Sequence, residues 1–306
     1  MSKPILRKYK GYKRLFIICL YLIAIIVAWI LSTDYINEHL KFQMLTYLDD
    51  LARQKAAGID NKLVSNLGLL ESIADQLARS EKYNFSISIE EVATIKEWVG
   101  IDKLAIIDAN GCAYTSEGDI EDVSDELIYK IPMEGVPYIS GVLEGSENED
   151  DVTLYGVPII STEGEKEPIA GVIVAEMKTE DFVKAYRTKF IQEQGFTYLI
   201  DKQGNVIEGT LQSDELEMDN IFDQLRENEE NKDAIKKLEK ALSSLEKVSF
   251  HYENNNEKEY AVCIPLKSSN WYMIMVIPEH RINQQIQFTS NSFHALFSTV
   301  FALSIS

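Results

Sequence analysis

Cysteine, histidine, proline and basic residues are all scarce in this 306-residue chain, and each scarcity removes a class of protein. Three cysteines make no disulfide framework. Cys19 falls inside an apolar run, and Cys112 and Cys263 lie far apart, a bridge between them remaining an open alternative. The four histidines, His39, His251, His280 and His294, stand singly, none with a second His or Cys at metal-ligand spacing. The acidic stretches "SENEDD" and "ENEENKD" lack the glycine and closing glutamate of a calcium loop and read as solvated loops. No metal and no cofactor is expected: no loop of the Gly-Lys-Ser/Thr type is present to cradle a phosphate.

Catalytic signatures are missing too. No two glycines are adjacent, which excludes the GGDEF or GGEEF signature of a diguanylate cyclase in this chain. There is no Gly-x-Ser-x-Gly and no phosphoacceptor histidine followed by an ATP-binding region. The chain reads as a non-enzyme.

Acid is absent before Asp34, where six basic residues (Lys3, Arg7, Lys8, Lys10, Lys13, Arg14) stand instead. The other 24 of the 30 basic residues share the remaining chain with all 49 acidic ones, an excess of 25 negative charges. A nucleic-acid surface would be basic, so that partner is excluded. The run "LFIICLYLIAIIVAWIL", Leu15 to Leu31, is 17 residues without a charge. At about 1.5 Å per residue, and with Ser32 and Thr33, it nearly matches a bilayer core of about 30 Å. Its basic flank orients the N-terminus inside and the acidic remainder outside. A cleaved signal peptide is the competing reading. The apolar core exceeds the usual length, and Trp29-Ile30-Leu31 occupies the place of a small-residue cleavage site.

Proline is absent from Asp34 to Ser80, and Ile59, Leu63, Leu67, Leu70, Ala74 and Leu77 recur at helical spacing. The segment 34–80 reads as one long stalk helix packed on a neighbour. Short strands follow, with a weak repeat. "AIIDANGCAYT" (Ala105 to Thr115) is echoed by "YLIDKQGNVIEG" (Tyr198 to Gly209), with hairpin turns at Asn110-Gly111 and Gln203-Gly204, 93 residues apart. Paired apolar strands close each copy: "LYGVPII" and "IAGVIVAEM", then "YAVCIPL" and "WYMIMVIP". These readings predict an α+β chain with two modules of about 95 residues.

Together, the basic-flanked apolar helix, the long stalk and the two strand patterns resemble the double Cache (dCache) sensor ectodomains of bacterial receptors. The likeness is greatest to those feeding diguanylate cyclases, with histidine kinases and chemoreceptors next. The carrying residues are "IIDANGCAYTSEG", "DVSDELIYKIPMEGVPYIS", "LYGVPIISTEGEKEPIAGVIVAEM", "YLIDKQGNVI" and "YAVCIPLKSSNWYMIMVIP", over residues 35–283. The resemblance implies a cytoplasmic basic N-terminus (1–14), a transmembrane helix (15–33), a stalk helix (34–80) and a membrane-distal PAS-like antiparallel-sheet module (81–186). A membrane-proximal module (187–283) and the start of a second transmembrane helix (284–306) follow. The apolar ending "FHALFSTVFALSIS" is then part of a helix returning to the cytoplasm; a natural single-anchor protein is the alternative. The implied location is the bacterial plasma membrane, with residues 34–283 extracellular or periplasmic.

In such sensors a small molecule binds the distal module between its sheet and the segment crossing over it. By position, the residues implied here are Tyr114, Ser124, Asp125, Tyr129, Tyr138, Ser140, Tyr155 and Glu176. Tyrosine offers an apolar wall with a hydroxyl handle, and a carboxylate holds an ammonium through a charge-assisted hydrogen bond. For any single one of these tyrosines, a half-buried strand residue, which Tyr commonly is in sheets, is the favoured competing reading. Amino-acid-binding members carry an Arg-x-Trp-Tyr-type cluster near the position of "SDELIYK"; here Asp125 and Tyr129 remain without the Arg or Trp. A cation, an amine or a neutral polar molecule is therefore favoured over a carboxylate. The resemblance implies a homodimer through the stalk and signal transfer to an output domain absent from this chain. The alternative is a membrane-anchored binding module without output.

Overall fold

The computed structural model describes residues 3–79, 94, 101, 103–143, 152–161, 169–178, 195–209 and 219–305. The acidic stretch at 146–151 and Trp98 lie outside them. The chain divides into two compact units, one of residues 1–48 with 278–306, the other of residues 49–277.

The first unit contains the N-terminal part of helix α1 (Lys3–Ala78) and helix α5 (Glu279–Ile305). Lys41 Nζ donates to Glu279 Oε1 at 2.8 Å, and Leu48, Ile282 and Ile286 are buried. On α1, Phe16, Leu20, Ile23, Val27 and Ile30 are all exposed and repeat at helical spacing. Among the described residues, no helix is long and apolar enough to cross a membrane, so the two expected membrane helices gain no support from the fold.

α1 is one uninterrupted helix through the apolar run and the expected stalk. Along its second part Ala52, Ala56, Ile59, Leu63, Asn66, Leu70, Ile73, Ala74 and Leu77 are buried at spacings of three and four. The seam passes through Asn66 rather than Leu67, the apolar residue that periodicity alone selects.

The second unit is an α+β body with two antiparallel sheets. The first is built from β1 (Lys103–Asp108), β2 (Cys112–Thr115), β3 (Ile120–Asp122), β4 (Tyr138–Leu143), β5 (Val152–Ile160) and β6 (Ile169–Lys178), in the order β3-β2-β1-β6-β5-β4. Helix α2 (Leu127–Lys130) and a 3-10 turn (Pro132–Glu134) cross between β3 and β4. The second sheet contains β7 (Phe196–Ile200), β8 (Val206–Gly209), β9 (Val248–Asn254), β10 (Glu257–Pro265) and β11 (Tyr272–Pro278), in the order β8-β7-β11-β10-β9. Helices α3 (Ile221–Arg226) and α4 (Lys232–Ser244) cross between β8 and β9.

The repeated hairpin has a common local cause. Asp108 Oδ1 accepts from the backbone N–H of Asn110 and Cys112, both at 2.9 Å. Asp201 Oδ1 accepts from Gln203 and Asn205 at 2.8 and 2.9 Å. Gly111 and Gly204 follow at φ 88° and 85°, the left-handed region that glycine enters without a Cβ penalty. A short polar side chain thus closes each turn onto its own backbone.

The core of the second sheet lies under α3 and α4, where Tyr198, Phe222, Leu225, Leu238, Phe250, Tyr252, Tyr272 and Ile274 pack together. Cys263 is buried there, and burial pushes its thiol up to about 12. Cys112 and Cys263 are free thiols, which removes the bridge left open above.

Candidate functional site

Alternate residues of a strand face opposite sides of its sheet, and the register of the first sheet sorts its side chains accordingly. On the side crossed by α2, Ala105 pairs with Val174, Val174 with Gly156, and Gly156 with Tyr138. The next row runs from Lys103 to Glu176 to Leu154. Ile107, Ala113, Ile128, Val172 and Val174 form the core of this crossover face, with Val123, Tyr129, Met133, Tyr138 and Leu154 half-buried around it.

The crossover lies close on the sheet because β5 has no side chain where the two meet. A Cβ at Gly156 would stand 2.9 Å from Ile128 Cδ1, 3.0 Å from the Ile128 carbonyl oxygen and 3.1 Å from Pro132 Cγ. Tyr129 fastens the other end, its hydroxyl donating to the Ala109 carbonyl at 2.8 Å. The loop before α2 is held as tightly: a Cβ at Gly111 would fall 2.5 Å from Ser124 Cβ. Ser124 N–H donates to Asp122 Oδ1 at 3.0 Å, and that bond, with one from the Ser124 side chain, holds the Asp122 carboxyl below the usual range.

The expected site residues separate into groups. Tyr129, Tyr138 and Glu176 share the crossover face, where burial raises the Tyr138 phenol. Glu176 is a quarter exposed and stands 3.6 Å from the Lys103 ammonium. Ser124 backs onto Gly111 in the approach loop. Asp125 is fully exposed and accepts from Lys130 Nζ at 2.9 Å. Ser140 is buried at a β-bulge, where its hydroxyl donates to the Gly141 carbonyl at 2.6 Å and accepts from Leu154 N–H at 2.9 Å. Tyr114, opposite Ile106, and Tyr155, opposite Ala175, belong to the other face of the sheet, with Leu104, Ile106, Ile139, Val157, Ile159, Ile173 and Ala175.

Tyr155 is completely buried, and burial pushes its phenol up to about 12, Asn66 of α1 tempering the shift. The Asn66 side chain is thus near, yet the Tyr155 hydroxyl forms no well-aligned hydrogen bond. This pair places the seam of α1 against the sheet face away from the crossover. The tyrosine-rich strands therefore do not pool their hydroxyls in one place.

Sequence reading missed Lys103, whose cross-strand partnership with Glu176 exists only once β1 is known to pair with β6. It also passed over Glu259. This carboxylate is 6% exposed, faces Tyr252 across the β9–β10 ladder and lies 3.4 Å from the Asn254 amide. Burial first, and Glu259 second, push the Tyr252 phenol well up.

With two sheets, each crossed on one face by short helices, the architecture can be set beside known proteins. The Cache domain model dCache_1 matches residues 32–286. The chain belongs to the Cache domain family. Solved structures give the same fold for this Cache chain. The ligand-binding domain of the Campylobacter jejuni chemoreceptor Tlp3, in complex with L-valine, is 13% identical with a TM-score of 0.59, over 81% of this chain and 98% of that one. The ligand-binding domain of the Pseudomonas aeruginosa PAO1 amino acid chemoreceptor PctC, in complex with GABA, is 15% identical with a TM-score of 0.59, over 76% and 100%. The extracellular domain of the putative histidine kinase mmHK1S-Z2 is 11% identical with a TM-score of 0.59, over 76% and 96%. No curated protein matches the chain.

Proposed function

We propose that this chain is the ligand-sensing input region of a bacterial transmembrane receptor. It binds a small molecule at the crossover face of the first sheet and passes the signal to an output domain outside this sequence, such as a diguanylate cyclase or histidine kinase. The observation that carries the reading is the Cache match across residues 32–286. Chemoreceptor and kinase sensor domains share the fold, and several were solved with amino acids bound. The same reading assigns no catalytic role to this chain.

The chemistry of the face favours an amine, a cation or a neutral polar ligand. Glu176 supplies a partly exposed carboxylate at the row beyond α2, while Tyr138 and Tyr129 supply aromatic wall. No arginine occurs between Arg79 and Arg187, so the first sheet has no guanidinium to grip a ligand carboxylate bidentately. Asp125 and Ser124 act at the entrance. Tyr114 and Tyr155 support the packing of the sheet rather than touching the ligand.

Membrane placement rests on the uncharged run Leu15–Leu31, its basic flank and the five exposed apolar side chains from Phe16 to Ile30. In this reading Met1 is inside and residues 34–283 are outside, with the module boundaries at 81–186 and 187–283. Exposed Tyr35, Phe42 and Tyr47 on α1 provide contacts for a second copy along the stalk.

The test is calorimetric titration of the purified chain with amines, quaternary ammonium compounds, amino acids and polyols, repeated on Glu176→Gln. A hit should lose about 10–100-fold in affinity in the variant, the worth of a hydrogen bond to a charged group. Equal affinity in both proteins would remove Glu176 from the site. Impermeant labelling of a cysteine placed at Glu149 in intact cells checks the topology, and protection until lysis would overturn it.

A further inference from the structure

The two sheets meet α1 through different chemistry. Asp60 of α1 accepts from the backbone N–H of Lys267 (2.8 and 2.9 Å to its two oxygens), from the N–H of Ser268 (2.9 Å) and from the Ser268 hydroxyl. Lys267 and Ser268 lie in the turn between β10 and β11, which is closed by Leu266 N–H donating to the Trp271 carbonyl at 2.9 Å. A second tie joins the same pair of elements: Lys247, just before β9, donates to Asp49 of α1, which also accepts from Arg53 at 3.1 Å. One sheet is thus joined to the helix by charge-assisted hydrogen bonds at two points about three helical turns apart.

The first sheet has an unlike contact. Its helix-facing side is largely apolar, with Thr153 and Tyr155 as fully buried polar side chains on β5, and the buried polar side chain in the opposing seam of α1 is Asn66, 8% exposed, beside Tyr155. Their approach leaves the Tyr155 hydroxyl without a well-aligned hydrogen bond. A buried hydroxyl left unsatisfied is costly, whereas an apolar face has no directional preference and changes little in energy when it slips. The two contacts therefore differ in kind as well as in strength.

We propose that Asp60 is a latch that fixes the second sheet to α1, and that the first sheet is the module built to shift along α1, its resting position held imperfectly at Asn66 and Tyr155. The purpose of the device depends on the sensing reading, since a site on the first sheet would then lie on the moving part. The mechanical claim stands without it. β11 passes directly into α5, so the latched hairpin is also the one that continues into the C-terminal helix.

Spin-label distance measurements on the full chain in detergent test the claim without any ligand. One pair, Lys62 and Ser249, spans α1 and the second sheet; the other, Glu71 and Glu121, spans α1 and the first sheet. All four positions are exposed. The first pair should give a single narrow distribution that broadens in Asp60→Ala and less in Asp60→Asn, which keeps one carbonyl acceptor. The second pair should be broader at rest and should narrow in Tyr155→Phe, where the unsatisfied hydroxyl is gone. Tyr155→Phe should keep or raise Tm. Equal widths for the two pairs in the unmodified chain, or no change at the first pair in Asp60→Ala, would overturn the proposal. A folded chain that binds nothing would sink the sensing reading and leave the latch intact.

Discussion

Gly156→Ala is the sharpest probe of the crossover. The added methyl would stand 2.9 Å from Ile128 Cδ1, 3.0 Å from a backbone carbonyl oxygen and 3.1 Å from a proline ring carbon. Two of the three neighbours are stiff, so the strain is relieved by lifting α2 from β5 rather than by a rotamer change. Overpacking of this kind costs about 1–3 kcal/mol. For a body of this size a kcal/mol moves Tm by about 2–4 °C, which sets the expected loss at about 2–12 °C. Calorimetric melting is the assay, with Gly141→Ala as the control, because a Cβ there meets nothing within 4 Å. Ile128→Val deletes the nearest contacting atom, so the double variant should recover at least about 0.5 kcal/mol relative to the sum of the single changes. Equal melting of Gly156→Ala and Gly141→Ala would mean that α2 does not rest on β5. Non-zero strain with no recovery from Ile128→Val would place it on the backbone and Pro132 instead.

Further outcomes are expected elsewhere in the fold. Leu245 ends α4 with φ 55° and is 59% exposed, so Leu245→Gly should raise the unfolding free energy measured in urea by about 0.5–1 kcal/mol through relief of left-handed strain. Burial pulls the Asp49 carboxyl up, but Lys247 and Arg53 outweigh it and hold it below its ordinary value. A carboxyl depressed in the folded state stabilises the fold above its unfolded pKa of about 3.9 and loses that contribution as pH falls through the folded value. The Tm gap between the unmodified chain and Asp49→Asn should thus be full near neutrality and close in acid. A gap that widens in acid would reverse the assignment. In a Cys19→Ser background, Cys112 should react readily with a thiol reagent and Cys263, with its buried and raised thiol, only on unfolding. Two equal fast phases would contradict that burial.

What was legible in the sequence was local. The Asp-x-x-Gly turns, the apolar runs of β5 and β6, and the three-four spacing of α1 each depend on residues near one another in the chain, so one sequence suffices to see them. What stayed hidden depended on register. Tyr114 and Tyr155 look equivalent to Tyr138 until pairing assigns them to opposite faces, since a shift of one residue exchanges the two sides of a strand. Asn66 and Leu67 compete for one seam position, and only the tertiary partner decides. Asp60 is an unremarked helical acid until a turn some 200 residues later, at Lys267 and Ser268, arrives beside it.

The paired turns at Asp108 and Asp201 also bear on how the chain acquires its shape. Each closes on backbone groups two to four residues away, so each is available before any distant segment arrives, with a small loop-closure cost. Each lies at one side of its own sheet, between β1 and β2 or between β7 and β8. The coverings differ, Ser124 against Gly111 and Phe222 with Ile221 against Gly204, so a hairpin settled under the wrong cover would meet either a gap or a clash. A chain with two near-copies of one starting hairpin thereby avoids the exchange of strands between them, because the early step is shared and the late step discriminates.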